Sequence, residues 1–159
     1  MTDIVKKDAE STLPILMETV ESKLLIIREQ RMLLDRDVAT LYGVETKRIN
    51  EAVRNNPNKF PDGYFVELTD EESAVLRSKF STLKQERGKG RYSKYNYKAF
   101  SEKGLYMLAT ILKSERATAA TIAIIETFAK VRSLKQELLE LHKETDKAAI
   151  KREESQAAA

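Results

Sequence analysis

Four side chains within one short stretch have the chemistry to read a nucleic acid: Lys47, Arg48, Asn50 and Arg54. Lysine and arginine donate to guanine or phosphate, and an asparagine amide can pair bidentately with adenine. If this stretch is helical, Ile49, Ala52 and Val53 fall on an inner face, and the four polar residues fall with Glu51 on the outer one. A second group lies downstream. From Arg77 to Lys98 eight cationic side chains stand against Glu86 alone, whereas the charges from Phe60 to Leu76 are all acidic. Between Lys84 and Lys98, glycines alternate with Arg and Lys, and Tyr92, Tyr95 and Tyr97 interleave. A basic loop of this kind suits a phosphate backbone or a minor groove. Arg87, Lys89 and Arg91 have no evident packing role there, whereas Tyr95 and Tyr97 read as strand-packing residues. The alternative is a pair of helices with a solvated charged face beside a solvated loop.

Other chemistry has little to stand on. The chain has no cysteine and one histidine, His142, so neither a thiolate nor a histidine-based metal site is expected. Pro61-Asp62 followed by Glu67 is faintly reminiscent of a metal-dependent nuclease, but Leu68 and Thr69 occupy the place where a lysine would be needed. Asp70 to Glu72 suit the positive end of a helix dipole. Neither a glycine-rich phosphate loop nor a Ser-His-Asp set is visible. The expectation is a protein that is not an enzyme, with no cofactor, no metal and no small-molecule substrate.

The elements that must position these residues follow from periodicity and caps. Leu24 to Leu34 holds two apolar runs around Arg28–Arg31 and reads as two strands with a polar turn. Asp37 is expected to cap a helix that buries Val38, Leu41 and Tyr42. Ala39 sits where a second helix crosses closely, Gly43 supplies a left-handed turn, and Glu45 or Thr46 opens the second helix. This is the pattern of a helix-turn-helix, in which two short helices cross around a tight glycine turn. Tyr64 to Leu68 reads as a strand after the Pro61-Asp62-Gly63 turn. Thr69 with Glu72 forms a capping box for a helix to about Phe80, followed by a loop over Ser81 to Lys94. Tyr95 to Ala99 reads as a strand. Ser101 caps a helix to about Leu112, and Ser114 caps another that continues past Leu141. The predicted fold class is α+β: a small antiparallel sheet with packed helices, including a helix-turn-helix, plus a long C-terminal helix.

At 159 residues and 33% charged side chains, one domain with a long solvated helix accounts for the composition better than a compact globule alone. The expected organisation is a flexible N-terminal arm over 1–20, with a short helix at most, a DNA-binding domain over 21–120, and a helical tail over 121–159. In that tail Val131, Leu134, Leu138 and Leu141 fall at a and d positions of a heptad, which suits a coiled coil. The formal net charge of +3 does not by itself demand a nucleic-acid partner, so the local clustering carries that argument. No stretch has the pattern of a signal peptide or a membrane span, and a cytoplasmic location is expected.

The residues DRDVATLYGVETKRINEAVRNN, the Phe60-Pro61 turn with Phe65, the segment Ala99-Phe100-Ser101-Glu102-Lys103-Gly104, and Ser114-Glu115-Arg116-Ala117 resemble the ORF-six-N domain family. These are phage-type DNA-binding modules related to the KilA-N and Bro-N groups. The resemblance covers about Glu21 to Arg132. It implies a KilA-N-like DNA-binding domain, a phage or mobile-element origin, and a role as transcriptional regulator or antirepressor. Lys103 departs from the pattern, where Gln is more usual. The tail departs too, since many relatives carry a separate effector domain there. The expected partners are double-stranded DNA and a second copy of the chain in a homodimer. The alternative is an interaction module that sequesters a repressor protein through the acidic helix or the tail. The expected DNA contacts are Lys47, Arg48, Asn50, Arg54, Arg87, Lys89 and Arg91.

Overall fold

A computed structural model describes residues 2–83 and 95–157. In chain order the elements are α1 (Thr2–Lys23), β1 (Leu25–Ile27), β2 (Gln30–Leu34), α2 (Asp35–Tyr42), α3 (Thr46–Asn55), β3 (Phe65–Glu67), α4 (Asp70–Leu83), β4 (Lys98–Phe100), α5 (Glu102–Ala109) and α6 (Glu115–Ala157). The strands form one antiparallel sheet in the order β1-β2-β4-β3. The fold is therefore α+β with a long C-terminal helix, as the sequence predicts. No helix among the described residues is long and apolar enough to cross a membrane.

Side-chain alternation along β2 divides the core. Met32 and Leu34 join Ile27, Leu68 and Ala99 in one cluster, which Leu76 and Phe80 of α4 cover. Leu33 lies opposite Phe100 of β4, and Phe100 in turn lies opposite Phe65 of β3. Phe60, Phe65 and Phe100 cluster with ring centroids 6.1–6.4 Å apart, Phe60 meeting the other two edge to face. Each such pair adds about 0.5–1.5 kcal/mol beyond its buried area.

The β1–β2 turn is made by Arg28 and Glu29, both at positive φ (51° and 68°). Two central residues of that conformation match the twist of a tight hairpin, although neither is the glycine or asparagine that adopts it at least cost. Arg28 is held from outside: its guanidinium lies 2.8 Å from Glu72 and also donates to the Glu67 carbonyl. Glu72 completes the expected capping box, accepting from the Thr69 amide while Thr69 Oγ1 accepts from the Glu72 amide. The Arg28 hydrogen bond, with help from Thr69, brings the Glu72 carboxyl down to about 2.

Several expected boundaries move. The N-terminal segment expected as an arm with a short helix lies in one 22-residue helix, α1, with Pro14 inside it. Leu13, Leu16, Met17, Val20 and Leu24 are spaced as one helical face, and Val20 is fully buried. Asp37 does not cap α2. The chain passes from β2 into the helix at Asp35, with Leu34 as the cap residue and no side-chain cap bond. Asp37 is instead buried in the first turn, and that burial raises its carboxyl above the usual range. The helix α4 runs on to Leu83, and α5 stops at Ala109 rather than near Leu112. The last strand starts at Lys98 rather than Tyr95, because the backbone before it is taken by other partners. Arg77 donates to the Tyr95 carbonyl, Ser73 Oγ accepts from the Tyr97 amide, and the Tyr97 carbonyl accepts from Leu68.

The chain divides into two compact units, residues 1–124 and 125–159. The second unit is helical through Ala157, and its Leu134, Leu138, Leu139 and Leu141 are all exposed.

The Ser101 cap identifies one position that tolerates no side chain. Ser101 Oγ accepts from the Gly104 amide and donates to the Gly63 carbonyl at 2.9 Å. A Cβ at Gly104 would collide with the Tyr64 carbonyl. Helix propensity alone makes Gly→Ala stabilising by about 0.8–1.0 kcal/mol. The collision reverses the sign: Gly104→Ala should lower stability by about 1–3 kcal/mol, measured by urea unfolding.

Candidate nucleic-acid interface

The α2–α3 pair is built around Gly43. Val38, Ala39, Leu41 and Tyr42 are buried on α2, and Ile49, Ala52 and Val53 on α3. Gly43 ends α2 in the left-handed region (φ 69°), where it closes the helix by donating to the Thr40 carbonyl. α3 then starts after Glu45. The turn between them is short, α2 and α3 pack directly against each other, and Ala39 is buried.

Burying Ile49, Ala52 and Val53 leaves the polar face of α3 outward. Lys47, Arg48 and Arg54 are exposed, and Asn50 and Glu51 are partly covered. Lys47, Asn50 and Arg54 share one side of the helix and line an open cavity of about 500 Å³. Arg36 at the start of α2 and Lys98 at the start of β4 add two more cations to its wall, and Thr46, Tyr95 and Tyr97 complete it. The lining contains four cationic side chains and no carboxylate. Arg48 is on α3 but outside the cavity. Arg87, Lys89 and Arg91 lie outside the described residues.

Arg36 is fixed by packing, its guanidinium 4.2 Å from the centre of the Phe80 ring. Tyr95 is held by a polar network. Its hydroxyl donates to Asp35 Oδ2, and Asn50 Nδ2 donates to that hydroxyl at 2.6 Å. Asp35 is fully buried, and its other oxygen accepts from the Arg36 amide. Burial and the neighbouring Asp35 raise the Tyr95 hydroxyl well above its usual range, with the Asn50 hydrogen bond opposing. Asn50 therefore spends a donor on Tyr95 in this conformation, and its Oδ1 is buried with no partner among the described residues.

Reasoning from sequence missed Arg36, Lys98 and the Tyr95 hydroxyl as parts of one site. Lys98 belongs to the basic stretch and carried a signal. Arg36 did not, since nothing local distinguishes it from any solvated helix-start arginine.

The network makes a stability prediction. Tyr95→Phe keeps the ring but removes one donor to a buried carboxyl and the acceptor for Asn50. The loss should be about 1–3 kcal/mol, the cost of buried polar groups left unpaired. Unchanged urea unfolding would show that the network does not contribute.

A family model for the ORF6N domain matches residues 22–111. Comparison with curated proteins and with solved structures finds no match. The matched residues hold the whole sheet, the α2–α3 pair and every residue that lines the cavity. With more than half its length inside that match, this chain belongs to the ORF6N domain family.

Proposed function

We propose that the chain binds double-stranded DNA through α2 and α3 acting as a helix-turn-helix, and that it serves as a phage-type transcriptional regulator or antirepressor. One observation carries this reading: Lys47, Arg54 and Lys98 converge on one concave surface without an ion pair among the described residues. Uncompensated cations on a groove favour a polyanion, since each phosphate contact releases a condensed counterion. Two acidic residues in the first turn of α4 are engaged internally. Glu72 pairs with Arg28, and Asp70 accepts from Asn96 at 2.6 Å. That weakens the alternative of a repressor-capturing acidic helix. Arg48, exposed on α3 and outside the cavity, is proposed to face base edges, and Arg87, Lys89 and Arg91 are proposed on sequence grounds to add phosphate contacts. The protein is proposed to be no enzyme and to act in the cytoplasm.

Binding measured on a selected site and on random duplex at several salt concentrations tests this. Lys47→Ala and Arg54→Ala should weaken both duplexes alike, and each should reduce the salt slope by about one unit, the share of one neutralised phosphate. Arg48→Ala should cost about 1–3 kcal/mol of discrimination on the selected site. If all three variants bind both duplexes as tightly as the parent, the DNA surface is elsewhere.

DNA half-site recognition commonly uses two copies of a protein. The exposed Leu134, Leu138 and Leu141 give α6 an apolar stripe at coiled-coil spacing for a second copy. Light scattering should find a dimer for the full chain and a monomer for the Leu134→Glu, Leu138→Glu, Leu141→Glu triple variant. Because these side chains are already exposed, the charges should leave thermal unfolding of residues 1–124 unchanged. A monomeric parent at high protein concentration removes the proposal.

A further inference from the structure

We infer that the cavity between α3 and β4 takes one unpaired nucleotide of a DNA strand. The inference rests on the DNA-binding reading and deepens it, because it specifies a ligand shape that fully paired duplex does not offer. The first argument is size. A cavity of about 500 Å³ lies within the range of small-ligand pockets, roughly 300–1,000 Å³, and far exceeds the room one backbone phosphate needs. The second is the mixture of groups on its wall. Lys47, Arg54 and Lys98 supply charge for a phosphate, and Tyr95 supplies an aromatic surface for a base. Cations beside an aromatic ring are the means by which proteins hold single-stranded nucleotides, whose bases expose a π-face. In the interior of a paired duplex both faces of each base are covered by neighbours.

The third argument is order. Tyr95 is 38% exposed, yet its hydroxyl is engaged by both Asp35 and Asn50. What it offers the cavity is therefore the ring. That ring also makes an edge contact with Tyr97 at 6.3 Å, and the Tyr95 carbonyl is held by Arg77. A stacking surface fixed from three sides loses little freedom when a base settles on it. Thr46 and Asn50 add polar groups on the α3 side of the wall.

The experiment compares three labelled DNAs on the full chain by fluorescence anisotropy: a paired duplex, the same duplex with one extra unpaired thymidine, and the same bulge with an abasic residue. The bulged duplex should bind on the order of tenfold more tightly than the paired one, the effect of stacking one base. The abasic bulge, equally bendable but without a base, should fall back to the paired value. Thymidine monophosphate at millimolar concentration should narrow the gap by occupying the same cavity, and Tyr95→Ala should abolish it. Equal, salt-sensitive binding to all three DNAs would overturn this inference and leave duplex binding intact. No binding to any of them would overturn both. A preference that the abasic bulge shares would mean that the chain senses bending rather than a base, and would also overturn the inference.

Discussion

A carboxyl group with no access to water at the junction of β2 and α2 organises the surface of this domain. Asp35 cannot be left without hydrogen-bond donors, since a buried polar group without partners costs kilocalories. One donor is local, the Arg36 amide. The other comes from Tyr95, sixty residues on. Satisfying Asp35 thus draws the segment before β4 against the start of α2, and Asn50 of α3 joins through the same hydroxyl. Three distant parts of the chain meet at one group, and the cavity is the space they leave between them.

Much of the architecture was legible because its signals are local. The Thr69–Glu72 capping box, the Ser101 and Ser114 caps, and Gly43 after Tyr42 are each set by residues a few positions apart. The strands of the hairpin were legible from apolar runs, even though Arg28 and Glu29 make a turn without the usual residues. What was hidden depends on long-range satisfaction. Tyr95 and Tyr97 alternate with polar residues as a strand does, but the backbone there bonds to Ser73, Arg77 and Leu68. Asp37 looked like a cap because acidic residues suit helix starts, whereas Asp35 two positions earlier already lies in the helix. The helical face of α1 was visible at Leu13, Leu16, Met17 and Val20, but Pro14 pulled the reading toward an irregular arm. Of the site itself, the α3 residues were legible from periodicity, while their grouping with Arg36, Lys98 and Tyr95 required the fold.

Charge is segregated by use as well as by position. The acidic first turn of α4 stabilises the domain from within, where Glu72 serves the Arg28 hairpin and Asp70 holds Asn96. The cations of α3 and β4 have no such internal partners among the described residues. Opposite charges placed close together would have cancelled across the surface. With Glu72 and Asp70 engaged elsewhere and no carboxylate in its lining, the cavity wall is positive although the whole chain carries only +3.

Gly43 has a second neighbour besides its own turn. Arg116, in the first turn of α6, lies across it, with side-chain atoms 2.6 Å from where a Cβ would be, and donates to the Thr40 carbonyl at 3.1 Å. Tyr42 meets Thr121 of the same helix at 3.1 Å. The bare glycine is thus occupied twice, by its own backbone angle and by an arginine from another element. A side chain at position 43 would bear the strain of positive φ and would also push the flexible end of Arg116 aside. The arginine can move, but not without leaving the Thr40 carbonyl. A substitution at this turn would therefore be felt in the tie between α2 and the start of α6 as well as in the turn itself.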